Sequence, residues 1–61
     1  MPASPLMTTE EAAEYTRLST ETLRYFRQRD EGPRFTKLGR RVFYRRQDVD
    51  AWIESSVVMT Q

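Results

Sequence analysis

There is no cysteine and no histidine in this 61-residue chain. That absence constrains the fold more than any motif in it. A domain this short lies near the lower limit for an unassisted hydrophobic core, and chains of this size commonly lean on disulfides or a structural metal. A disulfide scaffold is excluded here, and so is a zinc site built from thiolate or imidazole. Packing must hold the domain, with a partner or oligomerisation as the remaining aid. The hydrophobic fraction is a thin 38%, but one Trp, three Tyr and three Phe supply large side chains to bury. The same absence argues against an enzyme. The carboxylates fall at helix starts rather than in a recognisable acid–base pair. Neither a cofactor nor a metal is expected.

The distribution of charge says more than its total of +1. Residues 17–46 carry a net +7, and each flanking segment carries −3. Nine of the ten bases are Arg, the side chain whose planar fork suits phosphate and guanine. A solubilising surface is the bland reading of a mixed-charge chain. Segregation this strong favours a face that binds a polyanion.

No apolar run approaches the roughly 20 residues that span a bilayer. The start, MPASPLMTTEE, lacks the basic region and apolar stretch of a signal peptide. A cytoplasmic protein with no membrane partner is the expectation. Residues 1–5 hold two prolines without periodicity and read as a flexible tail. The domain is expected over 6–55, with a C-terminal tail at 56–61. Val57-Val58-Met59 in that tail is an apolar patch that could touch a neighbour.

Thr8 and Glu11 have capping-box spacing, and Met7 stands where a hydrophobic staple reaches toward Ala12. A first helix over about Thr9 to Thr16 follows, with Glu10 and Glu11 suited to its dipole. Arg17-Leu18 bridges to a second helix, which Ser19 caps. At 100° per residue, Leu23 and Phe26 face the core. Thr20, Glu21, Arg24, Tyr25 and Gln28 lie on the other side. This helix is expected to end near Asp30, before Gly32-Pro33 breaks it. Phe35–Leu38 and Val42–Arg45 alternate around Gly39 and read as a hairpin. Its tip carries Arg40 and Arg41, and its arms carry Lys37, Arg45 and Arg46. A third helix runs from Gln47 to about Ser55, with Val49, Trp52 and Ile53 as its core face.

Two short helices joined by a tight turn, the second basic and serine-capped, make a helix-turn-helix pattern. The fold class expected is mainly α with a small β-hairpin: three short helices plus a two-stranded wing. A helix fits the major groove of double-stranded DNA, and residues early in the second helix reach base edges. Thr20, Glu21 and Arg24 are the candidates, behind the cap at Ser19. Arg24 can fork onto guanine or pair with Glu21 or Gln28 on a solvated face. Glu21 can accept from cytosine or serve only as a first-turn acid. Tyr25, Arg27 and Gln28 are placed for phosphates, though Tyr25 beside Phe26 could equally be partly core. Lys37, Arg40, Arg41 and Arg45 belong to the wing, with Arg40 or Arg41 entering the minor groove or clasping its phosphates.

EEAAEYTRLSTETLRYFRQR followed by KLGRRVFYRRQDVDAWI resembles the excisionase and MerR-like winged helix-turn-helix DNA-binding family. That family has an EAAEYL-type first helix, a serine-capped second helix, a GRR-type wing and a helix similar to RREDLDAWL. TLRYFR is also similar to the TLRYYE stretch of MerR-type regulators. The resemblance runs from Leu6 to Ser55. The family often has an apolar residue where Thr16 stands and glycine where Arg17 stands. Arg in place of Gly is expected to shift the path of the turn, because a side chain makes the left-handed conformation costly.

The resemblance implies a small phage or mobile-element excisionase, a recombination directionality factor. Such a protein binds repeated sites in attachment-site DNA, bends the duplex and helps integrase, often with cooperative self-association. A chain of this length is expected to hold no effector domain, dimerisation coiled coil or catalytic centre, which suits an accessory factor. A small AlpA-like or MerR-like transcriptional regulator needs the same domain and is the alternative. From a different class, the Arg-rich face could serve a protein-interaction module.

Overall fold

Side-chain caps set where the first two helices begin. In the structure, a computed structural model describing residues 5–57, the Thr8 side chain accepts from the Glu11 amide at 3.1 Å. The Glu11 carboxylate accepts from the Thr8 amide at 2.9 Å, completing the capping box. Helix α1 follows over Thr9–Thr16. Ser19 accepts from the Thr22 amide at 3.0 Å and starts α2 over Thr20–Gln28. The expected tail at 1–5 lies almost wholly outside the described residues, as does the apolar patch beyond Val57.

Both helices end in the same way. Leu18 donates its amide to the Ala13 carbonyl and Arg17 to that of Glu14. Glu31 donates to Phe26 and Asp30 to Arg27. These are Schellman pairings, with Arg17 (φ 65°) and Asp30 (φ 59°) in the left-handed position. Arg17 therefore takes the left-handed conformation that glycine favours. The second cap stops α2 at Gln28, two residues before the end expected near Asp30. Gly32 follows at φ 77°, and a Cβ there would lie 2.8 Å from the Phe26 Cβ.

The sheet has one strand more than the hairpin expected. Strands β2 (Thr36–Leu38) and β3 (Arg41–Arg45) form the wing, with Leu38 opposite Arg41 across Gly39-Arg40. Gly39 has φ 63° and Arg40 does not have positive φ, the pattern of a type II′ hairpin turn. Leu6–Thr8, placed only as a staple and cap, is a strand, β1, antiparallel to β3. The order is β1-β3-β2, so β3 is central. Helix α3 (Arg46–Ser55) leaves β3 directly, and the Arg46 amide donates to the Pro5 carbonyl at 2.8 Å.

Ala12, Ala13, Leu23, Tyr44 and Val49 are the buried hydrophobic core, with Met7, Leu18, Phe26 and Val42 packed against it. The two small alanines let α2 approach α1 closely. Trp52 packs its ring 5.9 Å from that of Phe26, joining α3 to α2. Ile53, expected in the core face of α3, is instead exposed. Val49 and Trp52 already span the contact, and Ile53 lies past its edge. Tyr15 also stays at the surface, where its hydroxyl donates to the Asp50 carboxylate and ties α1 to α3. A domain of this size is stabilised by only about 3–9 kcal/mol, so loss of one well-buried side chain is a large fraction of the total.

Candidate nucleic-acid interface

Helix α2 has one buried edge and one open arc. Leu23 is fully buried and Phe26 half-buried. Glu21, Arg24, Tyr25 and Gln28 are exposed, and Thr20 is half-buried at the start of the helix. These five fall within one contiguous arc at 100° per residue. The structure thus brings together the expected base-reading residues Thr20, Glu21 and Arg24. Ser19 serves as the cap, with its hydroxyl 2.8 Å from that of Thr22. Tyr25 is 53% exposed, which decides against its being core. The Arg29 guanidinium lies 5.3 Å from its ring centroid.

Arg24 makes no ion pair, hydrogen bond or ring contact among the described residues. It therefore does not pair with Glu21 or Gln28. The single ion pair among those residues is Arg29 Nε to Glu31 Oε2 at 3.6 Å, between exposed side chains. Exposed pairs of that kind are worth little. The informative part is what remains: the other nine bases have no carboxylate partner among the described residues. Arg17 and Arg34, which sequence reasoning did not include as contacts, are exposed and unpaired as well.

Strand register sorts the wing residues onto two faces. Lys37 pairs with Val42 and Met7 with Tyr44. Alternation then puts Lys37 on the face that carries Val42, Tyr44 and the core. Arg41, Phe43 and Arg45 point to the opposite face with Leu6 and Leu38. There the Arg41 guanidinium lies 5.3 Å from the Phe43 ring centroid. Arg45 lines a shallow groove of about 450 Å³ with Leu6, Thr36 and Leu38. Arg40 sits in the turn itself, exposed and without a partner among the described residues. The wing candidates therefore do not form one surface: Lys37 is on the side of α2, Arg45 is on the far side, and Arg40 and Arg41 are at the tip.

Arg27 departs most from its expected setting. Its Nη1 donates to Tyr44 Oη at 2.7 Å and reaches Thr9 Oγ1 at 3.5 Å. The guanidinium carbon lies 5.7 Å from the Phe35 ring centroid and 5.9 Å from that of Tyr44. It is half-buried and turned toward the sheet, where it was expected to point at phosphates. A helical wheel places it at the boundary of the open arc. The aromatic partners that draw it inward come from elsewhere in the chain, and no local signal announces them.

Among the described residues there is no helix long and apolar enough to cross a membrane and no acidic, His or Cys group arranged to hold a metal ion. The family model of the helix-turn-helix domain matches residues 6–57, and the chain belongs to that family. Its three helices and small antiparallel sheet are consistent with the winged form of that fold. No curated protein matched the chain in a sequence comparison.

Proposed function

We propose that this helix-turn-helix chain is a sequence-specific DNA-binding excisionase, which binds and bends attachment-site DNA to promote integrase-mediated excision. The observation that carries the DNA-binding part is Arg24, exposed on the open arc of α2 and without a partner among the described residues. A free Arg early in such a helix forks onto the O6 and N7 of guanine. Thr20 and Glu21 flank it and meet neighbouring base edges. Gln28 and Tyr25, further along, take phosphates and set the register. Lys37 and Arg40 extend the grip to the wing, with Arg41 at its tip.

The excision role rests on the resemblance of residues 6–55 to excisionases, in the first and second helices, the GRR wing and the RRQDVDAWI helix. Repeated sites, cooperative contacts between neighbours and an encounter with integrase follow from that reading. Footprinting on the DNA flanking the native gene tests the binding. An in vitro excision reaction with the neighbouring integrase tests the role. Protected repeats and integrase-dependent excision are expected. Protection at a promoter with no effect on excision would assign the chain to transcriptional regulation instead.

A further inference from the structure

We propose that Arg27 is a positioning residue that fixes the angle between α2 and the wing, rather than a phosphate contact. The inference rests on the DNA-binding reading above. Close backbone contacts join α1 to α2 and both α1 and α3 to β3, while α2 has no comparable contact with β2 or β3. The wing is therefore connected to the recognition helix mainly through intermediaries. Arg27 supplies a direct connection. Its bond to Tyr44 Oη is the only side-chain hydrogen bond between α2 and the sheet among the described residues. The same guanidinium reaches Thr9 at the start of α1 and packs by the Phe35 ring in the segment leading into β2. One planar group thus touches both helices of the helix-turn-helix, the central strand and the approach to the wing.

The chemistry suits that position. A half-buried cation with no carboxylate partner needs other compensation, and a phenolic oxygen with two aromatic faces provides it. Lys would keep the charge and lose the fork and the stacking. Tyr44 is fully buried, so its hydroxyl cannot touch DNA. Removing that hydroxyl changes neither surface nor charge, which separates positioning from contact.

The test compares Tyr44→Phe, Arg27→Lys and Arg27→Met with the unaltered chain, each first checked for folding by circular dichroism. Affinity for the footprinted duplex is measured across a salt series, with and without Arg40→Ala and Arg41→Ala together. Tyr44→Phe and Arg27→Lys are each expected to weaken binding about 5- to 10-fold, the scale of one net hydrogen bond. The salt slope should stay unchanged. The wing double substitution should cost at least about threefold less in either background than in the unaltered chain, because a wing already out of place has less to lose. If Tyr44→Phe fails to fold, Arg27→Lys carries the same comparison. Full affinity in Tyr44→Phe and Arg27→Lys, or wing effects that multiply independently, would overturn the proposal. So would a salt slope reduced by about 0.9 in Arg27→Met with Tyr44→Phe neutral, the mark of a phosphate contact. An unaltered chain that binds no DNA would instead defeat the underlying reading.

Discussion

The amide of Leu18 donates to the carbonyl of Ala13 at 2.9 Å, closing the end of α1 over Arg17, which is left-handed at φ 65°. Leu18 is thereby turned into the core, and Ser19 is placed to cap α2. The link between the two helices is a helix-terminating motif run directly into a helix-starting one, with no loop between.

A side chain in the left-handed region costs about 1–2 kcal/mol, and glycine does not incur it. Arg17→Gly is therefore expected to stabilise the domain by about 0.5–1 kcal/mol after the greater freedom of glycine in the unfolded chain is subtracted. Thermal unfolding would show this as a rise of about 4–8 °C per kcal/mol for a domain of this size. A fall in midpoint would mean that the Arg17 stem contributes packing that outweighs its backbone strain.

The two glycines should respond differently to alanine. At Gly32 the new Cβ would meet the Phe26 Cβ at 2.8 Å, and φ is also positive. Gly32→Ala is expected to cost about 2–4 kcal/mol, from overpacking added to backbone strain. Gly39 has positive φ but nothing within 4 Å of the added carbon, so only the backbone term of about 1 kcal/mol applies. Urea unfolding of both variants measures the difference, and equal losses would contradict it.

Losing the Ser19 cap strands an amide at the start of α2. Ser19→Ala should cost about 1 kcal/mol of stability, with Ser19→Gly costing a few tenths. Denaturant midpoints with unchanged slopes would confirm that only stability has moved.

The two faces of the wing predict unequal roles for two bases. Lys37 shares the face of Tyr44, whereas Arg45 shares that of Leu6 and Leu38. Lys37→Ala is expected to weaken DNA binding several-fold and lower the salt slope by about 1. Arg45→Ala should leave affinity within about twofold, since its charge is held away from α2 and screened. A larger effect at Arg45 would place the duplex against the outer face of the sheet.

The parts of this fold that are local in sequence were legible in it. Thr8 and Glu11, Ser19, and Gly39 each announce a cap or turn by residue type and spacing, and the helices and hairpin follow from them. The third strand was not legible, because Leu6–Thr8 is too short to show a period and pairs with residues more than thirty positions away. The sorting of Lys37 from Arg45 needs the register of the hairpin, which composition does not supply. The inward turn of Arg27, a flank residue suited by position to phosphates, is not legible because its partners Tyr44, Thr9 and Phe35 come from three other segments. Ile53 was read as core because periodicity gives a direction but not the width of the contact that α3 makes.

Arg24 remains the residue on which the account turns, and binding to its own duplex is the most direct measurement. Affinity of the unaltered chain and of Arg24→Ala should be compared on the footprinted site and on single-base variants of it, over a range of salt. Steep salt dependence is expected for both proteins. Arg24→Ala should lose about 1–3 kcal/mol on the native site and nearly all discrimination at one guanine. Equal affinity and equal sequence preference for the two proteins, or binding that does not respond to salt, would contradict the assignment of α2 as the recognition helix.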